Sequence, residues 1–285
     1  MNNTDLIKEL RALTQAGMKD CKDALEEAAW DLQKAVDIVK IKGLNVVSRT
    51  SNNVATEGIV RIGHVGDNRT KSMVEVNCQT DFVANSPDFN KFVDLVSFQL
   101  GSDVAQSNPF YHDCDVLENA RKDLISKTKE NIVIRRWWVE QVMPEAGRVC
   151  HYIHSNNKIG VLLSMVAPSV EAANTEDFKT LGEELAMQVA AMSSVAVSVD
   201  SLPAEVVERQ RGIFEAQLKE MNKPQAAWAK ILEGKFKKWH TEVCLLEQES
   251  VVQPKTSVQQ VVKNMSAKLG GDIQVVGFIR CQVGA

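Results

Sequence analysis

The sequence predicts an α+β protein: an N-terminal three-helix bundle, a core in which an antiparallel sheet with helices on one face is built twice, and an antiparallel helical hairpin inserted into the second copy. Three observations lead there. Apolar residues recur at helical spacing in three short runs before residue 43. From residue 58 onward one order of elements (two strands, helices, a closing strand) runs through twice. Between 202 and 240 the texture changes, with apolar residues seven apart and many lysines.

In the bundle, 1–43, Thr4 or Asp5 can cap a first helix carrying Leu6, Ile7, Leu10 and Leu13. Thr14 to Met18 breaks it, which places Met18 and Lys19 in a turn. A second helix from about Asp20 carries Cys21, Ala24, Leu25 and Ala28. Past Trp30 and Asp31, Leu32, Ala35, Val36 and Val39 line a third. Residues 44–57 hold Ser48, Thr50, Ser51, Asn52 and Asn53 with little apolar periodicity, so they are expected to be a linker that leaves the bundle tethered to the core.

The first core subdomain, 58–141, opens with a hairpin (58–65 and 72–78) around Gly66-Asp67-Asn68. Helices at 88–100 and 116–128 follow, then a strand at 132–139. The second subdomain is split into 142–201 and 241–285. It has a hairpin (148–154 and 158–166) around Asn156-Asn157, a helix at 175–192 with Leu181, Leu185, Val189 and Met192 on one face, and a closing strand at 273–283. The two closing strands share an apolar run ending in arginine, at Arg135 and Arg280. The insertion, 202–240, opens at Pro203 and spaces Val207, Phe214 and Met221 by sevens, with Leu218 four beyond Phe214. After Asn222-Lys223-Pro224 a second helix carries Trp228, Ile231, Leu232, Phe236 and Trp239. Lys219, Lys223, Lys230, Lys235, Lys237 and Lys238 need solvent or a partner, which favours a projecting arm over a packed pair.

Composition excludes several classes. Lys+Arg 33 against Asp+Glu 37, a formal charge of −4, argues against a dedicated nucleic-acid binder, whose phosphate contacts need a basic surplus. The six cysteines are scattered without metal spacing and read as free thiols of a reducing cytoplasm. No apolar run approaches a membrane span, and Met1 to Asp5 has neither the basic nor the apolar segment of a secretory signal. There is no phosphate loop, no dinucleotide fingerprint and no nucleophile–base pair. His151 and His154 point to opposite faces of a strand. The expectation is a non-enzyme with no catalytic residues, no metal and no cofactor.

One stretch stands apart, Val74-Glu75-Val76-Asn77-Cys78-Gln79-Thr80-Asp81-Phe82-Val83-Ala84. Its first half alternates as a half-buried strand, and Thr80 and Asp81 then punctuate a turn. Phe82 lies beside a carboxylate rather than inside a periodic run. Two readings stay open on these residues: a loop aromatic folded back onto the core, or an anion and an apolar wedge presented together at a loop tip.

Cys78 to Ala84 closely resembles the core motif of the elongation factor Ts family, guanine-nucleotide exchange factors for elongation factor Tu. Arg11, Ala16-Gly17-Met18, Asp20-Cys21-Lys22 and Ala24-Leu25 match that family's N-terminal motif. The resemblance implies a ubiquitin-associated-like bundle, the duplicated core and a coiled-coil arm. It implies binding to elongation factor Tu in its GDP-bound and nucleotide-free states, with Asp81 and Phe82 entering the partner's G domain and Thr80 among the partner-binding residues. Arg11, Met18, Lys19 and Lys22 would hold that domain from the bundle. His154, in Tyr152-Ile153-His154, and the pair Val251-Val252 would make further contacts. It also implies a cytoplasmic protein with no direct nucleic-acid or membrane contact, and a dimer or 2:2 complex as a possible assembly. Lys19 replaces a usually apolar residue, Gln188 a usual His and Ser250 a common Phe, and Trp137-Trp138 stands where smaller residues are usual. Many members continue past the position of Ala285 into a further helical module, which implies either a smaller interface here or a partner that is itself divergent. The alternative role is an assembly or chaperone subunit holding elongation factor Tu in a larger complex such as a viral RNA polymerase.

Overall fold

A computed structural model describes residues 2–14, 16–51, 53–64, 68–105, 115–221 and 224–285. It divides into two units, Met1–Gly63 with Met73–Trp138 and Val283–Ala285, and His64–Ser72 with Val139–Gln282.

The first unit begins with helices α1 (Asn3–Thr14), α2 (Met18–Glu27) and α3 (Leu32–Thr50), closed around fully buried Leu10, Cys21, Ala24, Leu25 and Ala35. Two expectations change here. α2 starts at Met18, with the extended Gly17 as its N-cap, so Met18 and Lys19 form a first helical turn and not a loop. α3 runs on through Thr50, which makes the first part of the expected linker helical, and it lies against the helix Asp115–Thr128 within the same unit. Serine and asparagine look like linker residues, but propensity is a weak prior that tertiary packing overrides.

The unit's sheet has the order β1-β2-β3, from β1 (Glu57–His64), β2 (Thr70–Cys78) and β3 (Val133–Gln141). All nine residues of the central β2 are buried, so both of its faces are covered. α4 (Asp81–Ala84), α5 (Pro87–Ala105) and α6 (Asp115–Thr128) follow, with Phe89, Val93, Val96, Leu117, Ile125 and Ile132 in the core. The expected turn at Gly66-Asp67-Asn68 lies partly outside the described residues. Glu75 on β2 is fully buried, and its carboxylate accepts from Arg135 (3.0 Å), Arg136 (2.6 Å), Asn77 Nδ2 (3.2 Å) and the Gly284 N–H (3.2 Å). These charge-assisted bonds offset the desolvation of the carboxylate.

In the second unit, β4 (Gly147–Ile153), β5 (Ile159–Val166) and β6 (Gln274–Gln282) form an antiparallel sheet of order β4-β5-β6. A bulge opposite Ser164/Met165 puts Val276 outside the ladder and exposes it. α7 (Val170–Ala173) leads into α8 (Glu176–Met192), which lies across β4 and β5. The approach is so close that a Cβ on Gly182 would stand 2.1 Å from Cys150 Sγ. α9 (Ala204–Glu220) and α10 (Trp228–Val243) pack on each other, and α11 (Val258–Lys268) precedes β6. The seam between α9 and α10 holds Phe214 edge-on to Phe236 (5.3 Å) and buried Leu218 and Trp239. Met221 is exposed because α9 ends at Glu220. Lys235 is not a free surface charge: it lies over the Phe214 ring and donates to Gln217 at 2.7 Å. Lys223 lies outside the described residues.

The two units repeat one plan down to single bonds. Lys127, in the last turn of α6, pairs with Asp88 near the start of α5; Lys268, in the last turn of α11, pairs with Asp177 near the start of α8 at 2.8 Å. Beyond each helix one residue is left-handed, Lys129 (φ 62) and Gly270 (φ 79). β3 then starts at Val133 and β6 at Gln274. This register sets Arg135 opposite Val276 in the repeat. The apolar runs that end at Arg135 and Arg280 therefore do not occupy the same place in the repeat.

Candidate partner-binding site

The chain leaves β2 through Cys78 and Gln79 and turns at Thr80, whose extended backbone (φ −125, ψ 153) makes it the N-cap of α4. The Thr80 hydroxyl accepts from the Val83 N–H at 3.4 Å, and the Thr80 carbonyl accepts from Ala84 at 3.1 Å. At the other end Asn85 folds back, its Nδ2 donating to the Asp81 carbonyl at 2.9 Å. A single turn of helix, unstable alone, is thus closed from both sides. Val83 and Ala84 face the core, which leaves Asp81 and Phe82 pointing away from it. Phe82 is 85% exposed. Of the two readings of this aromatic, the folded-back one does not describe the structure. A large apolar side chain held so far into water is the informative kind of exposure.

The base of the turn is braced from a distance. Glu130, just past α6, accepts the Gln79 and Thr80 N–H groups on Oε2 (3.0 and 3.1 Å) and the Thr80 hydroxyl on Oε1 (2.6 Å). Asn131 donates its N–H to Gln79 Oε1 at 2.8 Å, and its amide reaches the carbonyls of Ser51 (3.2 Å) and Asn53 (2.9 Å). Sequence reasoning missed both residues.

Arg11, Met18, Lys19 and Lys22 all lie on the surface of the bundle. Met18 is 56% exposed. Lys22 makes a loose, exposed pair with Glu26 at 3.6 Å, which contributes little to stability. Arg11 lies in the last turn of α1, near Cys21. Burial raises that thiol's pKa, with the Thr14 hydrogen bond and the Arg11 charge opposing the shift. Asp20 forms an ion pair with Lys129 at 3.2 Å.

His154 and the valine pair belong to the second unit. His154 is exposed at the β4–β5 turn, with Nδ1 3.2 Å from the Tyr152 hydroxyl. Val251 and Val252 are 45% and 41% exposed on the loop before α11. Two residues that depart from the family pattern build this loop. Buried Gln188 accepts the Val251 N–H at 2.8 Å and donates to Gln248 and the Glu249 carbonyl (3.2 and 3.1 Å). Ser250 Oγ accepts from Val252 and Gln253 (3.3 and 3.1 Å). A short polar residue at 250 supplies the turn bonds that a phenylalanine there would lack. Among the described residues no cluster of three or more His, Cys, Asp or Glu side chains could hold a metal ion, and no helix is long and apolar enough to cross a membrane.

Comparison with known proteins gives one consistent result. The family model "Elongation factor TS" matches residues 79–285. The chain is similar to elongation factor Ts of Lawsonia intracellularis, 35% identical over 99% of this chain and 98% of the relative. It is also similar to those of Symbiobacterium thermophilum and Clostridioides difficile, each 38% identical over 98% of this chain and 91% of the relative. The Thr80–Phe82 turn thus sits in a chain that belongs to the elongation factor Ts family.

Proposed function

We propose that the chain is the guanine-nucleotide exchange factor of elongation factor Tu, and that it acts by inserting the Asp81–Phe82 turn into the partner's G domain. The observation that carries this is the Phe82 ring, 85% exposed on a helical turn capped at both ends and braced by Glu130. A pre-ordered aromatic loses little entropy on burial, which makes it a good anchor. The work is linkage: a factor that binds the nucleotide-free partner better than the GDP form weakens GDP by the same factor. It needs no reacting group, metal or cofactor of its own.

Asp81 would fix the ring in register, and Arg11, Met18, Lys19 and Lys22 would hold the G domain from a bundle read as ubiquitin-associated-like. His154 and Val251-Val252 would extend the contact, and α9–α10 would serve as the coiled-coil arm. The same reading places the chain in the cytoplasm, away from membranes and without direct nucleic-acid contact, with a 2:2 complex as one assembly to be weighed by mass measurement.

Stopped-flow release of a fluorescent GDP analogue from elongation factor Tu tests the proposal. The factor should accelerate release, with magnesium opposing it. Phe82→Ala should cost about 2 kcal/mol or more, roughly thirtyfold in exchange, while folding stability changes by less than about 0.5 kcal/mol. A complex that forms without accelerating release would leave the assembly-subunit role instead.

A further inference from the structure

We infer that Glu130 is the positioning residue of the exchange turn, and that the corner Lys129-Glu130-Asn131 holds the turn and the N-terminal bundle in one register. The inference rests on the exchange reading above and adds a residue to it.

The repeat within the chain supplies the control. In the second unit the cap of the equivalent turn is self-contained. Ser169 Oγ accepts from the Ala172 N–H at 3.2 Å. Glu171, inside the turn, is held below the usual carboxylate range by hydrogen bonds from its own N–H and from the Ser169 hydroxyl. In the first unit the carboxylate that serves the cap is not in the turn. It is Glu130, which takes two backbone N–H groups and the Thr80 hydroxyl. The Asp81 and Phe82 side chains therefore carry no capping duty and can both be presented.

The corner differs in the same sense. The second unit has Gly270-Gly271 there, with Gly270 left-handed at φ 79, where glycine is at ease. The first unit places Lys129 in that region at φ 62, followed by Glu130. A lysine is a poor choice for this backbone, yet its ammonium reaches Asp20 at 3.2 Å, between Met18-Lys19 and Lys22. Glu130 holds the turn, Lys129 reaches α2, and Asn131 fastens the stretch after α3 through Ser51 and Asn53. Three consecutive side chains thus tie together the two elements that the exchange reading assigns to the partner.

The experiment titrates the full-length factor against GDP release, separating the maximal rate from the half-saturating concentration, for wild type, Glu130→Ala, Glu130→Gln and Phe82→Ala. Hydrogen exchange of the Gln79, Thr80 and Val83 amides is followed in the free factor. Glu130→Ala should lower the maximal rate about tenfold and expose those amides, with half-saturation changed less than twofold. Glu130→Gln, which keeps an acceptor oxygen, should restore part of the rate. Adding Phe82→Ala to Glu130→Ala should cost less than Phe82→Ala does alone. A Glu130→Ala factor with loosened amides and an unchanged maximal rate, alongside a defective Phe82→Ala, would overturn the positioning role and leave the exchange reading intact. A Phe82→Ala factor as active as wild type would overturn the exchange reading, and this inference with it.

Discussion

α4 and α7 follow the central strands of their sheets on matching scaffolds. A hydroxyl caps each turn, Thr80 to the Val83 N–H and Ser169 to the Ala172 N–H. An asparagine closes each from behind, Asn85 to the Asp81 carbonyl and Asn174 to that of Val170. A second hydroxyl then caps the long helix, Ser86 for Phe89 and Thr175 for Phe178, both at 3.3 Å. The outward positions differ: Asp81 and Phe82 in the first turn, Val170 and Glu171 in the second. Phe82, 85% exposed, stands where the second turn has Glu171, and Asp81 stands where it has Val170, 38% exposed. A geometry sufficient for chain reversal in one unit therefore displays an aromatic ring in the other. The bonds common to both turns belong to the fold, and what only α4 has is the candidate for function.

The largest expected effect tests the common part. Phe89 and Phe178 occupy equivalent places and are both fully buried. Phe89→Ala and Phe178→Ala should each destabilise the chain by about 3–5 kcal/mol through lost burial and a cavity, as read from denaturant midpoints. A tenfold smaller penalty in one of them would break the equivalence of the two cores.

Alkali should separate the units. Burial pushes the thiols of Cys150 and Cys244, both in the second unit, from 9.0 to about 11. Groups with a raised pKa in the folded state contribute stability that is intact below pH 9. It is lost as the pH rises towards 11, because the unfolded chain gives up those protons first. The Cys150 thiol is worth up to about 2–3 kcal/mol over that window, and Cys244 less. Melting temperatures from pH 8 to 11 should fall more steeply for wild type than for a Cys150→Ala/Cys244→Ala variant. Proteolysis at pH 10 should cut the second unit first. Parallel slopes for the two proteins would remove the thiols from the account.

Much of this organisation was legible because burial imposes a period. The helices and hairpins follow from apolar spacing, and Phe82 drew attention by lacking it. The repeat of ten residues, Thr80 to Phe89 and Ser169 to Phe178, was also open to reading. It was hidden because only four of the ten pairs are identical, two more match hydroxyl for hydroxyl at 80/169 and 86/175, and the outward pairs 81/170 and 82/171 share nothing. Glu130 was not legible, since it serves residues 50 and 51 positions away and no local pattern marks such a partner. Gln188 showed only as a departure from the family; its bonds to residues 248, 249 and 251 give it meaning once α8 and that loop are packed. The helical end of α3 was missed for the opposite reason, because local composition spoke for a linker where packing against α6 decides.

The smallest effect is the sharpest test of the comparison, because it sets two like hydroxyls against each other. Thr80→Ala and Ser169→Ala each remove an N-cap, at a cost of about 1 kcal/mol in stability. On that scale the two variants should be indistinguishable. Their effects on exchange should diverge. Ser169→Ala frees a turn that presents nothing, so GDP release should follow wild type within experimental scatter. Thr80→Ala removes both the cap and the 2.6 Å bond to Glu130, so the ring loses its fixed direction and the maximal release rate should fall several-fold. Thr80→Ser keeps a hydroxyl that can donate to Glu130 and accept from Val83, and should restore both stability and rate. If Ser169→Ala slows release as much as Thr80→Ala, the loss acts through general stability, and the division between a folding turn and a presenting turn fails.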